Sequence, residues 1–388
     1  MSSFATCRCD IFCTVIDNFG DIGVCWRMAR QLAAEHGMRV RLWIDNLQAF
    51  ARICPAFDDR HDAQSIDGVD ICHWRDDFGG ADFAGVTPGN IVIEAFGCRL
   101  PDNYVEKMAT LDSPPAWINL EYLSAEPWVS GCHALPSPHP RLALTKYFFF
   151  PGFDETTGGL LRERLLAEQR RQFLRSEPLQ ASLWHRIGVS PPAVDALKVS
   201  LFAYENSALP SLLTALADGP APGCCFVPLS RTQAGIESFL GQPITVGDTI
   251  RRGSLEIHVL PFVAQQDYDR LLWACDLNFV RGEDSFVRAQ WAARPMIWHI
   301  YPQSEGVHRV KLDAFLDRYL SGMPDKAAEA VRNLTFAWND FSECTPAQVT
   351  AVLEHLPDFR ELAGNWEKNL SKQEDLCASL VRFCKSKL

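Results

Sequence analysis

The 388 residues contain no C-x-x-C pair, no G-x-G-x-x-G and no G-K-[ST]. Without closely spaced cysteine pairs, the fourteen cysteines have no metal-ligand spacing, and no metal centre is expected. Most read as small buried apolar residues, and alternation puts Cys7, Cys9 and Cys13 on one face of the first strand. Free thiols in such number imply a reducing compartment. The missing glycine motifs exclude a dinucleotide fingerprint and a P-loop. No apolar stretch reaches about 18 residues, so no transmembrane helix is expected. The first residues lack the basic segment and apolar run of a secretory leader, and a cytoplasmic location is expected. Basic residues are in deficit, 37 Lys and Arg against 48 Asp and Glu, for a net charge of −11. That argues against nucleic acid or an anionic membrane as partner and suits a basic one. Internal repeats and low-complexity tracts are also missing.

What is present is an ordinary globular composition, 47% hydrophobic and 22% charged. The length is natural for two domains of roughly 150–200 residues. "CDIFCTVI", "RVRLWID", "VDICHW", "NIVIEAF" and "AWINLEYL" read as strands. The helical "IGVCWRMARQLAAEHG" follows the first of them, and this βαβ start predicts a parallel sheet. A second series follows Pro191 and Pro192: "LKVSLFAY", "GCCFVPL", "LEIHVLPF", "DLNFV" and "PMIWHIYP". The expected fold class is α/β, with two Rossmann-like domains facing across a cleft. The expected division is a domain at 1–152, a helical linker at 153–192 and a domain at 193–365. A C-terminal helix at about 366–388 is expected to pack back on the first domain.

Ligands of open parallel sheets bind beyond the carboxyl ends of the strands, so the loops there are the candidate sites. The first is "VIDNFGDIGVC". Asp21 could simply cap the helix after it, with Asp17 ending the strand in a turn. A cap explains one aspartate and not the second. Two carboxylates repel diphosphate, and the loop reads better as a site for a base or a guanidinium. The second is "LNFVRGEDSFVRAQWA". Here Ser285 is the expected N-cap, and the helix start, with Arg281 beside it, suits a diphosphate. Glu283 and Asp284 could accept hydrogen bonds from sugar hydroxyls, or be no more than acids in a first helical turn. The third is "HVLPFVAQQDYDRLL", where Phe262 could stack on a base or staple the helix entry, and Gln265 could pair with a base's amide edge. Asp267 and Asp269 form a D-x-D pattern, but i and i+2 do not share a helix face, so they are not expected to bind metal. Tyr204, Glu205 and Asn206 lie at another strand end, as site residues or as core and cap. His133, His139, His299 and His308 have no ligand spacing.

Together "DNFGDIGVCWRMARQL", "LEYLSAEPW", "LPFVAQQDYD" and "RGEDSFVRAQWA" resemble the bacterial protein-arginine rhamnosyltransferases that modify elongation factor P. The resemblance spans the chain. It implies a GT-B glycosyltransferase fold and inverting transfer of L-rhamnose from dTDP-β-L-rhamnose to an arginine of elongation factor P. The modified factor relieves ribosomes stalled at polyproline. By the same resemblance, Asp17 and Asp21 belong to the acidic loop near the acceptor arginine, and Glu283 is the essential glutamate. Phe262 and Gln265 match thymine-binding positions, Asp284 and Ser285 surround the diphosphate, and Arg281 and Tyr204 line the same site. No cofactor and no metal are implied. Two other readings share the nucleotide site: a transferase or epimerase acting on a small molecule, and a non-catalytic nucleotide-sugar sensor in translation. Mass added to elongation factor P separates the first from the family reading, and binding without turnover marks the second.

Overall fold

In the computed structural model, which describes residues 7–16, 19–74, 85–303 and 306–388, the apolar runs become the central strands of two sheets. The chain divides into two units, 1–164 with 372–388, and 165–371.

The first unit holds β1 (Arg8–Cys13), β2 (Arg39–Ile44), β3 (Ala63–Ile66), β4 (Val69–His73), β5 (Ile91–Ala95), β6 (Ala116–Leu120), β7 (Pro136–Pro138) and β8 (Thr145–Phe149). Among the described residues they form one eight-stranded sheet in the order β3-β4-β2-β1-β5-β6-β8-β7. The six inner strands are parallel, and β3 and β7 are short antiparallel edges. Cys9, Ile11 and Cys13 face one core with Cys7, while Phe12 faces the other. Strands covered on both faces read as near-continuous apolar runs, which is why these were legible.

Asp10 interrupts the first run and is fully buried. Arg41 grips its carboxylate with Nε at 2.5 Å and Nη2 at 2.6 Å. The Gly89 amide donates to it at 2.7 Å and the Tyr104 hydroxyl at 2.5 Å. A Cβ on Gly89 would lie 2.7 Å from the Arg8 carbonyl, so glycine is what permits this approach.

The second unit holds β9 (Leu197–Leu201), β10 (Gly223–Pro228), β11 (Thr249–Arg252), β12 (Leu255–Leu260), β13 (Leu277–Arg281) and β14 (Met296–His299). Their order is β11-β12-β10-β9-β13-β14, parallel except for the β11 edge. In both sheets the winding reverses beside the unit's first strand, between β1 and β5 and between β9 and β13. Those reversals are where an open parallel sheet accepts ligands.

The domain boundaries differ from those expected. The division falls after residue 164 instead of 152, and no separate linker spans 153–192. The helices Leu166–Arg175 and Glu177–Arg186 belong to the second unit. They bury Phe173 against Trp273 and Trp184 against Phe226; most of their charges lie on outer faces, while Arg170 is buried and pairs with Glu367 at 3.2 Å. The helix Leu356–Leu370 also stays with the second unit, and only 372–388 returns to the first. There the helix Leu376–Lys385 buries Leu376, Cys377, Leu380, Val381 and Cys384 in the core that Cys9 and Met28 share. Asp375 caps it and accepts from Gln31 on the helix Gly20–His36. Gly159, at φ +77°, lets the chain pass the Glu374 carbonyl, where a Cβ would collide.

Candidate functional site

The predicted residues fall at the two reversals, as a group in the second unit and, among the described residues, as Asp21 alone in the first. In the second unit, Tyr204 follows β9 and Arg281 ends β13. Arg281 is buried, its guanidinium carbon 4.3 Å from the Phe202 ring centre and 4.7 Å from that of Tyr204. Tyr204 in turn packs edge-on against His299 and Tyr301, at 5.1 and 5.7 Å. Aromatic faces thus fix a permanent cation at the strand end. The turn after it depends on Gly282, at φ +59°. Its amide donates to the His299 carbonyl at 3.2 Å, and its carbonyl accepts from Trp298 Nε1 at 2.8 Å. Trp298 stacks on Phe286, so the loop is anchored to the sheet and to the helix it opens.

That helix spans Asp284–Ala292 with Glu283 as its N-cap. Ser285 is therefore not the cap the sequence led us to expect. Its hydroxyl donates to the Arg281 carbonyl and accepts from the Arg281 amide at 3.1 Å. The tight glycine turn brings position 285 back over the strand end, and closing that turn outweighs serine's preference for capping. The first-turn amides of the helix have no acceptor within it, as at any helix start. Glu283 and Asp284, at that helix start, are 283 buried and 284 partly exposed.

β12 delivers the third loop. Phe262 is 38% exposed, while Gln265, the first residue of the helix Gln265–Ala274, is buried. Gln265 Nε2 lies 3.4 Å from Asp284 Oδ2, so the structure brings these two predicted residues together. The D-x-D pair separates as helical geometry requires. Asp267 accepts from Arg186 and Arg270, whereas Asp269 forms a buried two-point pair with Arg288 at 2.9 and 2.8 Å. Both carboxylates stand in ion pairs with arginine.

Sequence reasoning passed over His299. It is buried beside Tyr204, with Nδ1 3.4 Å from Asn206 Nδ2. Burial lowers its pKa to about 4, so the ring is neutral at physiological pH and the positive charge of this cluster is that of Arg281. A signal was available, since His299 ends β14 next to β13. The sign of the linkage follows. A histidine at 6.5 when unfolded and about 4 when folded binds its proton more tightly in the unfolded chain. Its contribution is complete above pH 6.5 and is lost as pH falls toward 4, about 3 kcal/mol in all at 1.36 kcal/mol per unit. In denaturant titrations, His299→Gln is expected to flatten the fall in stability between pH 7 and pH 4.5. An unchanged slope would show that His299 is not the group responsible.

In the first unit, Asp21 is the second residue of the helix Gly20–His36 and is 2% exposed. It is not the cap: Phe19 holds that position without a side-chain bond. Asp21 Oδ2 accepts instead from the Ile16 amide at 2.9 Å. Asp17 lies outside the described residues. A second acid that the sequence reading missed stands nearby: Asp45, just after β2, accepts from the Val15 amide at 3.0 Å. Both carboxylates raise the pKa of Cys13, after its hydrogen bond to Cys25 and its burial. Across the reversal, Phe96 and Gly97 follow β5 with φ +56° and +68°, and Phe96 stacks on Tyr122 at 4.6 Å. A non-glycine residue in that conformation is sterically costly, so the segment is held by its surroundings. The "EYLSAEPW" string that carried part of the resemblance thus supplies Tyr122 to this loop cluster.

The profile of the "Elongation-Factor P (EF-P) rhamnosyltransferase EarP" family matches residues 9–385. The chain is 50% identical over 380 residues to a protein-arginine rhamnosyltransferase of Pseudomonas putida, covering 98% of this chain and 99% of that one. It is 39% identical over 394 residues to one of Shewanella oneidensis, covering 97% of each. A solved structure described as the structural basis for EarP-mediated arginine glycosylation of translation elongation factor EF-P is similar, with a TM-score of 0.70 and 36% identity. It covers 99% of this chain and 100% of that one. The pair of Rossmann-like units is the GT-B class of glycosyltransferase fold. With its profile matched from residue 9 to residue 385, the chain belongs to the EarP family of elongation factor P rhamnosyltransferases.

Proposed function

We propose that this enzyme moves L-rhamnose from dTDP-β-L-rhamnose to an arginine side chain of elongation factor P, inverting the anomeric centre. The product would act in the cytoplasm, on ribosomes stalled at polyproline. The observation that carries this reading is the near-full-length match to protein-arginine rhamnosyltransferases. The chemistry of the two loop clusters supports it. The second unit offers a fixed cation, first-turn amides and an exposed aromatic ring, the parts a nucleoside diphosphate sugar needs. In this reading Phe262 stacks on thymine and Gln265 pairs with its amide edge. Tyr204 and Arg281 line the donor site, and the amides at Asp284 and Ser285 take the diphosphate as it leaves. Glu283 positions the donor or balances charge at the reacting carbon. The first unit offers carboxylates, which suit a guanidinium.

The acceptor is a poor nucleophile. Arginine's pKa lies roughly 9 units above that of an ordinary aspartate, so full deprotonation before attack would cost about 12 kcal/mol. Asp21 is therefore proposed to take the proton only as the C–N bond forms, while Asp17 holds the guanidinium at two points. The guanidinium nitrogen attacks the anomeric carbon from the side opposite the departing dTDP, and a single displacement of this kind inverts the centre. No cofactor and no metal take part in the proposed step.

The test is mass analysis of intact elongation factor P after incubation with enzyme and dTDP-β-L-rhamnose. One added deoxyhexosyl unit, mapped to an arginine, is expected. An unmodified factor, with the donor consumed on a small molecule or merely bound, would overturn the reading.

A further inference from the structure

Away from both strand-end clusters, three side chains of metal-binding type meet on the outer part of the second sheet. Cys224 lies on β10, and Glu256 and His258 lie on β12. Register pairs Cys224 with Glu256 and Phe226 with His258, so all three point to one face. The Cys224 sulfur, a Glu256 oxygen and a His258 nitrogen all lie within 4.8 Å of one another. His258 Nε2 is 3.7 Å from Glu256 Oε2. A tetrahedral zinc with bonds of about 2.0–2.3 Å separates its ligand atoms by roughly 3.3–3.8 Å, so a small closure completes the set.

A second observation points to a ligand. His258 is 6% exposed, and its buried Nε2 has no hydrogen-bond partner, which is rare for such an atom. The ring's other nitrogen, Nδ1, is 3.1 Å from Thr249 Oγ1 on β11. With Nδ1–H donating to Thr249, Nε2 is left as the lone-pair nitrogen, 3.7 Å from Glu256 Oε2. This is the outer-shell contact that orients a metal-bound histidine. Glu256 is held in the same way, its Oε1 accepting from Arg251 Nη2 at 2.6 Å while Oε2 faces His258.

We propose that Cys224, Glu256 and His258 bind one zinc ion, with water as the fourth ligand. A thiolate, a carboxylate and a neutral imidazole balance the charge of Zn2+. The set of one sulfur, one nitrogen and one oxygen suits zinc better than magnesium or calcium, which take oxygen. Without metal, burial and Glu256 hold the Cys224 thiol above its usual pKa, against Lys198 and Arg251, which lower it. Binding therefore releases the thiol proton to solvent as the S–Zn bond forms. The Glu256 side chain, 32% exposed, leaves a path for the ion. The ion ties the edge hairpin of β11 and β12 to β10 and takes no part in sugar transfer. Spacing could not reveal the site, because its ligands come from two strands and meet only through register.

The test uses the full-length protein, stripped with chelator and titrated with Co2+. One equivalent is expected to develop a thiolate-to-cobalt charge-transfer band that Zn2+ abolishes, and Zn2+ is expected to raise the melting temperature. Cys224→Ser and His258→Gln are expected to lose the band and the shift while keeping transferase activity, which certifies their fold. A band that survives in Cys224→Ser would assign the metal to other thiols and overturn the site. A measurement that needs no variant is anomalous scattering at the zinc edge from wild-type crystals grown with zinc. A peak within bonding distance of the three atoms is expected; a map without one there refutes the proposal.

Discussion

Asp21→Asn is expected to lower the rate of arginine modification by about 10²–10⁴-fold, the range supplied by a positioned general base. The substitution keeps the side chain's shape and its oxygen, so the Ile16 amide, now 2.9 Å from Oδ2, keeps an acceptor. What disappears is the negative charge and the ability to take a proton. Affinity for dTDP-β-L-rhamnose should change little, because the residues proposed to hold the donor belong to the other unit. The informative pair of measurements is donor binding by calorimetry and single-turnover modification followed by mass. Near-normal binding with a collapsed rate supports Asp21 as the base. Retained turnover would pass that role to Asp17. Weakened donor binding would give Asp21 a different task altogether.

The largest loss of stability is expected from Asp10→Ala, about 3–5 kcal/mol, the usual cost of leaving one partner of a buried ion pair behind. The Arg41 guanidinium, the Gly89 amide and the Tyr104 hydroxyl would all lose their acceptor at once. Replacing Asp10 and Arg41 together by leucine and methionine should cost less than Asp10→Ala alone, because no charge is then stranded. Urea denaturation of the three proteins, read by near-ultraviolet circular dichroism, distinguishes the cases. A single substitution costing under about 1 kcal/mol would mean that water reaches and solvates Arg41.

These two predictions rest on residues that were unequally legible. The central strands stood out because a parallel strand covered on both faces is an apolar run, and the starts of the helices at Gly20 and Asp284 carry the Gly, Asp and Ser that mark them. Asp10 gave no such signal: its partners sit 31, 79 and 94 positions away, joined to it only by strand order. The edge strands β3, β7 and β11 are too short to show a period. Ser285 was misread because capping preference is local, whereas the turn at Gly282 is fixed by Trp298 and the His299 carbonyl from β14. Asp45 and His299 were missed for the same reason, each standing at the end of a strand beside the one that carries a predicted residue.

The return of residues 372–388 to the first unit has a consequence for biosynthesis. A ribosome delivers the chain in order, and the second unit, an unbroken stretch, can close as soon as residue 371 has emerged. The first unit, though begun earlier, waits with the groove for Leu376, Cys377 and Leu380 unfilled. The earlier half of the message therefore encodes the later half to mature, and a nascent protein cut short before that last helix leaves the tunnel with its opening domain unsealed.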